Sequence, residues 1–173
     1  MAKQLTFTAY TFDELSDRAK DKARQWMREC IDVDDWSEQT IEDAAQVGLK
    51  ITGFDVGRAS ECNIDFSWSR DAVAEAILKE HGETCGTYKA ATEYLEAISK
   101  LPDDTSAEDN SEARIELEER AIDAFRKALE TDYLKDLRAA YQYSYSDEAI
   151  DETIEANDYL FAEDGSRTVT LNA

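Results

Sequence analysis

Apolar and polar residues alternate in "KQLTFTAY": Leu5, Phe7 and Ala9 stand against Gln4, Thr6 and Thr8. That period of two predicts a strand with one buried face. The period then changes. Thr11 and Glu14 have the spacing of a capping box, and Leu15, Ala19, Ala23, Met27 and Cys30, joined by Trp26, recur at helical spacing. They predict a helix of up to about twenty residues. A second helix is predicted to start near Ser37, to bury Ile41, Ala44, Ala45 and Val47, and to stop at Gly48, which suits a left-handed C-terminal cap.

"KITGFDVG" and "ECNIDFSWS" follow, with Cys62, Ile64, Phe66 and Trp68 alternating against Asn63, Asp65 and Ser67, and they predict a hairpin across "GRAS". Helical spacing returns in "SRDAVAEAILKEHG" (Val73, Ala76, Ile77) and in "TYKAATEYLEAISKL" (Ala91, Tyr94, Leu95, Ile98), which the only proline, Pro102, terminates. The polar 102–112 segment predicts an acidic mobile loop or linker. From Glu112, Ile115, Ile122, Phe125, Leu129, Tyr133, Leu137 and Tyr141 mark one long helix, roughly 45 Å if unbroken to about Tyr143. Ser146 should cap a short helix ending near Asn157, and "YLFAEDGSRTVTL" should close as a hairpin turning at Asp164 and Gly165. The tally predicts a single α+β domain over 1–173: a mostly antiparallel sheet of four to five strands covered by helices, with one long helix in the C-terminal half.

Charge changes the picture more than any motif. The 173 residues hold 40 acids and 19 bases, a net charge of −21 with sequence pI near 4.3, and both halves are acidic. Direct nucleic-acid binding and attraction to anionic membrane both need the opposite sign. A basic protein is the partner such a surface attracts. Three cysteines, Cys30, Cys62 and Cys85, lack the pairing of a disulfide framework or a zinc ribbon. With no apolar leader and no apolar run near 18 residues, the expected compartment is the cytosol.

Candidate chemistry concentrates in "SYSDEAIDETIEANDYLFAEDG", which has eight carboxylates and no Lys or Arg. On a helix, Glu148, Asp151, Glu152 and Glu155 share one face, while Ile150 and Ile154 form an apolar stripe opposite. Four charges over about 10 Å of helix axis approach the density of a DNA strand, one phosphate per roughly 3.4 Å. The bland reading is a solvated face serving solubility, but −21 lies well beyond the magnitude of roughly 2 to 8 that colloidal stability needs. Asp147 stands beside this face, and Tyr143, Tyr145 and Tyr159 are the candidate aromatic anchors. Lys20, Arg24 and Arg28 at i,i+4 spacing read either as a docking stripe or as balance for neighbouring acids, the second being the more ordinary.

"EHGETCG" brings the sole histidine, His81, near Cys85, but no third orienting group is identifiable, and with Cys62 the pair would still lack a fourth zinc ligand. In "DVDDWSEQTIED" an EF-hand loop beginning at Asp32 would put Trp36 at its fifth position and Ser37 where glycine is required, so it fails. No catalytic residue, metal site or cofactor is expected. "YTFDELSDRAKDKARQW", "ITGFDVGRASECNIDFSW" and above all "YSDEAIDETIEANDYLFAEDGSR" resemble a widespread uncharacterised family of proteins of tailed phages and prophages. Related sequences carry a Gly/Trp-rich "SGFWSQGDG"-like centre where this chain has "TGFDVGRAS", so a role tied to that segment does not carry over. The resemblance implies a phage context and no reaction.

The expected function is therefore an acidic, phage-type, non-enzymatic protein in the host cytosol. It would bind and inhibit a basic nucleic-acid-binding host protein, in an anti-restriction, anti-CRISPR or similar anti-defence role, by imitating DNA. Its contact residues would be Asp147, Glu148, Asp151, Glu152 and Glu155, the three tyrosines, and the acidic loop, with a homodimer left open. The alternatives are a small-molecule or metal-dependent enzyme of unknown reaction drawing on Asp55, Asp65, Cys62 or His81, and a phage housekeeping protein without mimicry.

Overall fold

The computed structural model describes residues 8–101 and 108–168, with side chains from Glu112 onward in the second stretch. The elements in chain order are α1 (Asp17–Glu29), α2 (Val33–Gln46), β1 (Leu49–Asp55), β2 (Glu61–Phe66), α3 (Arg70–Glu80), α4 (Gly86–Ser99), α5 (Glu108–Ser144) and α6 (Asp147–Ala156). The chain divides into two compact units. Unit 1 takes residues 1–36 and 140–173, and unit 2 takes 37–139.

In unit 1 the single N-terminal helix expected from Thr11 is split. A 3-10 turn, Phe12–Glu14, comes first, and the Glu14 carboxylate accepts from the Thr11 amide at 2.9 Å. Leu15 and Ser16 are extended, and Ser16 accepts from the Ala19 amide to start α1 afresh. Two capping signals five residues apart cannot both lie inside one helix, because a cap needs β-region backbone. The break lets Leu15 turn inward with Phe12, Ala19, Ala23, Ile150, Ile154 and Phe161, which form the buried core of the unit. Trp26 closes its edge with T-shaped contacts to Tyr159 and Phe161 at 5.3 and 5.9 Å. Ser146 caps α6 as expected. A turn through Asp164 follows, with Gly165 at φ +81° packed so tightly on the Ala19 backbone that a Cβ there would overlap it.

Unit 2 holds the sheet, which among the described residues has two strands, not four to five. β1 and β2 are antiparallel, with a register shift between Ile51 and Gly53. The expected first and last strands appear only as isolated antiparallel bridges, Tyr10 with Phe161 and Phe161 with Arg167, and both bridges belong to unit 1. Residues 1–7 and 169–173, over which those strands were expected to run, lie outside the described residues. Alternation in β2 is realised: Cys62 and Ile64 are buried, while Trp68, past the strand end, is half exposed and covers Gly48. Gly48 has φ +79°, the left-handed cap expected of it. Ala44 and Val47 are buried as expected, but Ala45 is exposed, and α2 begins at Val33, not near Ser37, so that Trp36 and Ser37 are buried as well.

Phe125, Leu129, Tyr133 and Leu137 of α5 are fully buried at i,i+4 steps, with Phe125 stacked on Tyr94 of α4 at 4.6 Å. Ile115 and Leu117 on the same helix are exposed. The acidic loop expected over 102–112 is shorter, because α5 starts at Glu108; 102–107 lie outside the described residues. Acids and Ser are acceptable in a first helical turn, which is why the polar composition concealed the helix start.

Candidate functional site

α6 carries its carboxylates in two classes. Ile150 and Ile154 are buried against α1, which brings the outer edge of α6 alongside the basic stripe of that helix. Arg24 donates to both carboxylate oxygens of Asp151, from Nε at 2.7 Å and Nη2 at 2.6 Å, the bidentate geometry that favours Arg over Lys. Arg28 pairs with Asp147 and also donates to the Tyr145 carbonyl at 3.3 Å. Lys22 meets Asp164 at 2.6 Å, and with Ser166 this contact holds the Asp164 carboxyl well below its ordinary range. Arg24 and Arg28 of the α1 stripe thus balance Asp151 and Asp147, while Lys20 lies over the Phe12 ring.

Glu148, Glu152 and Glu155 remain. They are exposed at i, i+4 and i+7, and among the described residues none of them has a Lys or Arg within ion-pair distance. Tyr143 lies beside them, 57% exposed, with its hydroxyl donating to Glu152 at 3.3 Å. Charge on Glu152, then the hydrogen bond, raises the Tyr143 phenol above its ordinary value, so the hydroxyl stays a donor. The other two tyrosines are differently placed. Tyr145 packs on Tyr141 at 4.6 Å, and Tyr159 lies between Trp26 and the Arg167 guanidinium, 4.4 Å from its ring. A shallow groove of about 330 Å³ lined by Met27, Ile31, Asp35, Tyr143, Ile150 and Glu152 adjoins this edge.

The residues named for the enzyme alternative do not converge. Asp55 accepts from the Gly57 and Ala59 amides and shapes the hairpin loop, whereas Asp65 is exposed on β2. Cys62 is buried, and desolvation, reinforced by Glu130, pushes its thiol up to about 11. His81 and Cys85 form no dyad: the His81 Nδ1 pairs with Thr87 Oγ1 at 2.7 Å, and Cys85 is the exposed residue preceding α4. Asp35, from the rejected EF-hand stretch, accepts from the Asp32 amide at 2.8 Å at the start of α2. Among the described residues no group of His, Cys, Asp and Glu is arranged to hold a metal ion, and no helix is long and apolar enough to cross a membrane.

Unit 2 does contain an open cleft of about 560 Å³ that sequence reasoning missed. Its walls come from α2 (Gln39, Thr40, Asp43), the α3–α4 turn (His81, Cys85), the first turn of α4 (Thr87) and α5 (Asp132, Asp136). Cys85 supplies no side-chain cap to α4, and Asp132 does so from α5, accepting from the Thr87 amide at 2.8 Å. The absence of a Cβ at Gly86 makes room for that carboxylate. Tyr133 donates to Asp43 at 3.2 Å. The i,i+4 spacing of Asp132 and Asp136 was the available signal, but partners 45 and 90 residues away carry no local mark.

No family model matches the chain, and no curated protein or solved structure matches it.

Proposed function

We propose that this chain is an acidic interaction protein of phage type that binds a basic, nucleic-acid-binding host protein and blocks it by presenting DNA-like charge. The observation carrying this reading is the edge of α6. Glu148, Glu152 and Glu155 stand exposed and unneutralised on a helix fixed by Ile150, Ile154 and the Arg24–Asp151 pair. Three charges over roughly 10 Å of axis, at fixed spacing, imitate a run of phosphates better than a mobile acidic tail, because little conformational freedom is lost on binding. Tyr143 supplies a flat, partly apolar contact beside them. The chain's net charge of −21 steers a basic partner from a distance and repels nucleic acid itself.

The test is capture of DNA-binding proteins from host lysate at about 0.1 M and about 0.5 M salt, followed by elution with duplex DNA. Retention at low salt, loss at high salt, release by DNA, and a drop of about tenfold for the E148Q/E152Q/E155Q variant are expected. Salt-insensitive capture, or full binding by the triple variant, would refute the mimicry.

A further inference from the structure

We propose that the cleft of unit 2 binds a small organic polycation, an aliphatic diamine or polyamine, through Asp43, Asp136 and His81. Four of its lining residues are carboxylates (Asp43, Glu80, Asp132 and Asp136) and none is Lys or Arg. Phosphorylated and carboxylic ligands are repelled by that sign. Asp132 is already engaged by the Thr87 amide and by Lys135 at 3.0 Å, whereas the pair of Glu80 with Lys79 is solvent-exposed and exchangeable. Asp43 and Asp136 are left facing the cleft without a Lys or Arg partner among the described residues.

The second observation is His81. Its side chain is nine-tenths buried, its Nδ1 is taken by Thr87, and its Nε2 makes no hydrogen bond; the nearest acidic oxygen, Asp43 Oδ2, is 3.6 Å away. A buried ring nitrogen in that state carries a desolvation cost that a ligand can relieve. A primary ammonium brings three N–H donors. It can engage Asp43, Asp136 and the ring nitrogen together, with Nδ1–H held on Thr87 Oγ1 so that Nε2 accepts. The cleft volume falls within the roughly 300 to 1,000 Å³ of small-molecule sites and is far too large for a single ion. Glu80 at the rim, paired only with an exposed lysine, gives a second ammonium its acceptor.

His81 is the chain's only histidine, so its imidazole resonances report the site without assignment ambiguity. Putrescine and spermidine are titrated into the full chain at constant ionic strength while those resonances are followed by NMR. A saturable one-to-one shift is expected, weakened about tenfold or more by Asp43→Asn and by Asp136→Asn and unchanged in the E148Q/E152Q/E155Q variant. The amide oxygen introduced by Asp43→Asn can still accept from Tyr133, and Asp136→Asn removes a repelling charge, so both variants should fold, as circular dichroism would verify. A shift that rises linearly, that sodium or magnesium chloride reproduces, or that both Asn variants retain would overturn the proposal. The site lies on different residues from the α6 edge, so failure of either reading leaves the other standing.

Discussion

At the scale of single residues, burial decides which groups are chemically available. Cys62 faces the interior from β2 with its thiol raised to about 11, whereas Cys30 and Cys85 are exposed. A thiol reagent at about pH 8 should therefore label two cysteines in the native protein and the third only after denaturation, countable by mass; rapid labelling of all three would contradict the burial of Cys62. Asp136 is raised by desolvation first, then by Asp132 and Asp43, with His81 and Lys135 acting the other way. A carboxyl held above its unfolded value costs stability once it ionises, so the penalty is full above the folded value and vanishes below the unfolded one, about 3.9. Asp136→Asn should raise the melting temperature at about pH 7 and lose that advantage as the pH falls below about 4. An equal gain at both pH values would exclude a charge origin. The inward side of Cys62 was legible in the alternation around it, but the surroundings of Asp136 were not, because Asp43 and His81 reach it from distant segments.

Elements were legible where a local signal existed and no tertiary contact competed. Gly48 stopped its helix, Ser146 started α6, and the buried i,i+4 run of α5 followed the sequence pattern. Thr11 shows the limit: its capping box starts only a 3-10 turn, and Ser16, which periodicity did not single out, caps α1, with Leu15 packed in the core between the two short elements. The acidic face of α6 was legible as a face, while the pairing of Asp147 and Asp151 with α1, which leaves Glu148, Glu152 and Glu155 unpaired, required knowing which helices pack. That pairing is measurable. Arg24→Ala leaves Asp151, whose side chain is only 27% exposed, without its bidentate partner, and should cost roughly 1 to 3 kcal/mol in urea unfolding. Glu155→Gln on the same helix should cost under about 0.5 kcal/mol. Equal effects would mean that the ion pair contributes nothing to holding α6.

For the whole molecule, the class α+β and the long C-terminal helix could be read from periodicity, but the number of strands could not. "TFTAY" and "YLFAEDGSRTVTL" alternate as strands do, yet within the described residues they meet only at Tyr10, Phe161 and Arg167. Alternation records which side of a segment is buried, and a few residues bridged across a turn satisfy it as well as a strand does. The division into two units was invisible for a related reason, since one of them is discontinuous in sequence. That discontinuity bears on how the protein is made. Arg24 and Asp151 are 127 residues apart, and the apolar side of α1 is covered by Ile150, Ile154 and Phe161, which are synthesised more than a hundred residues after it. While the intervening segment is being translated, Trp26, Met27 and Ile31 therefore lack the cover that Ile150 and Ile154 give them in the folded chain.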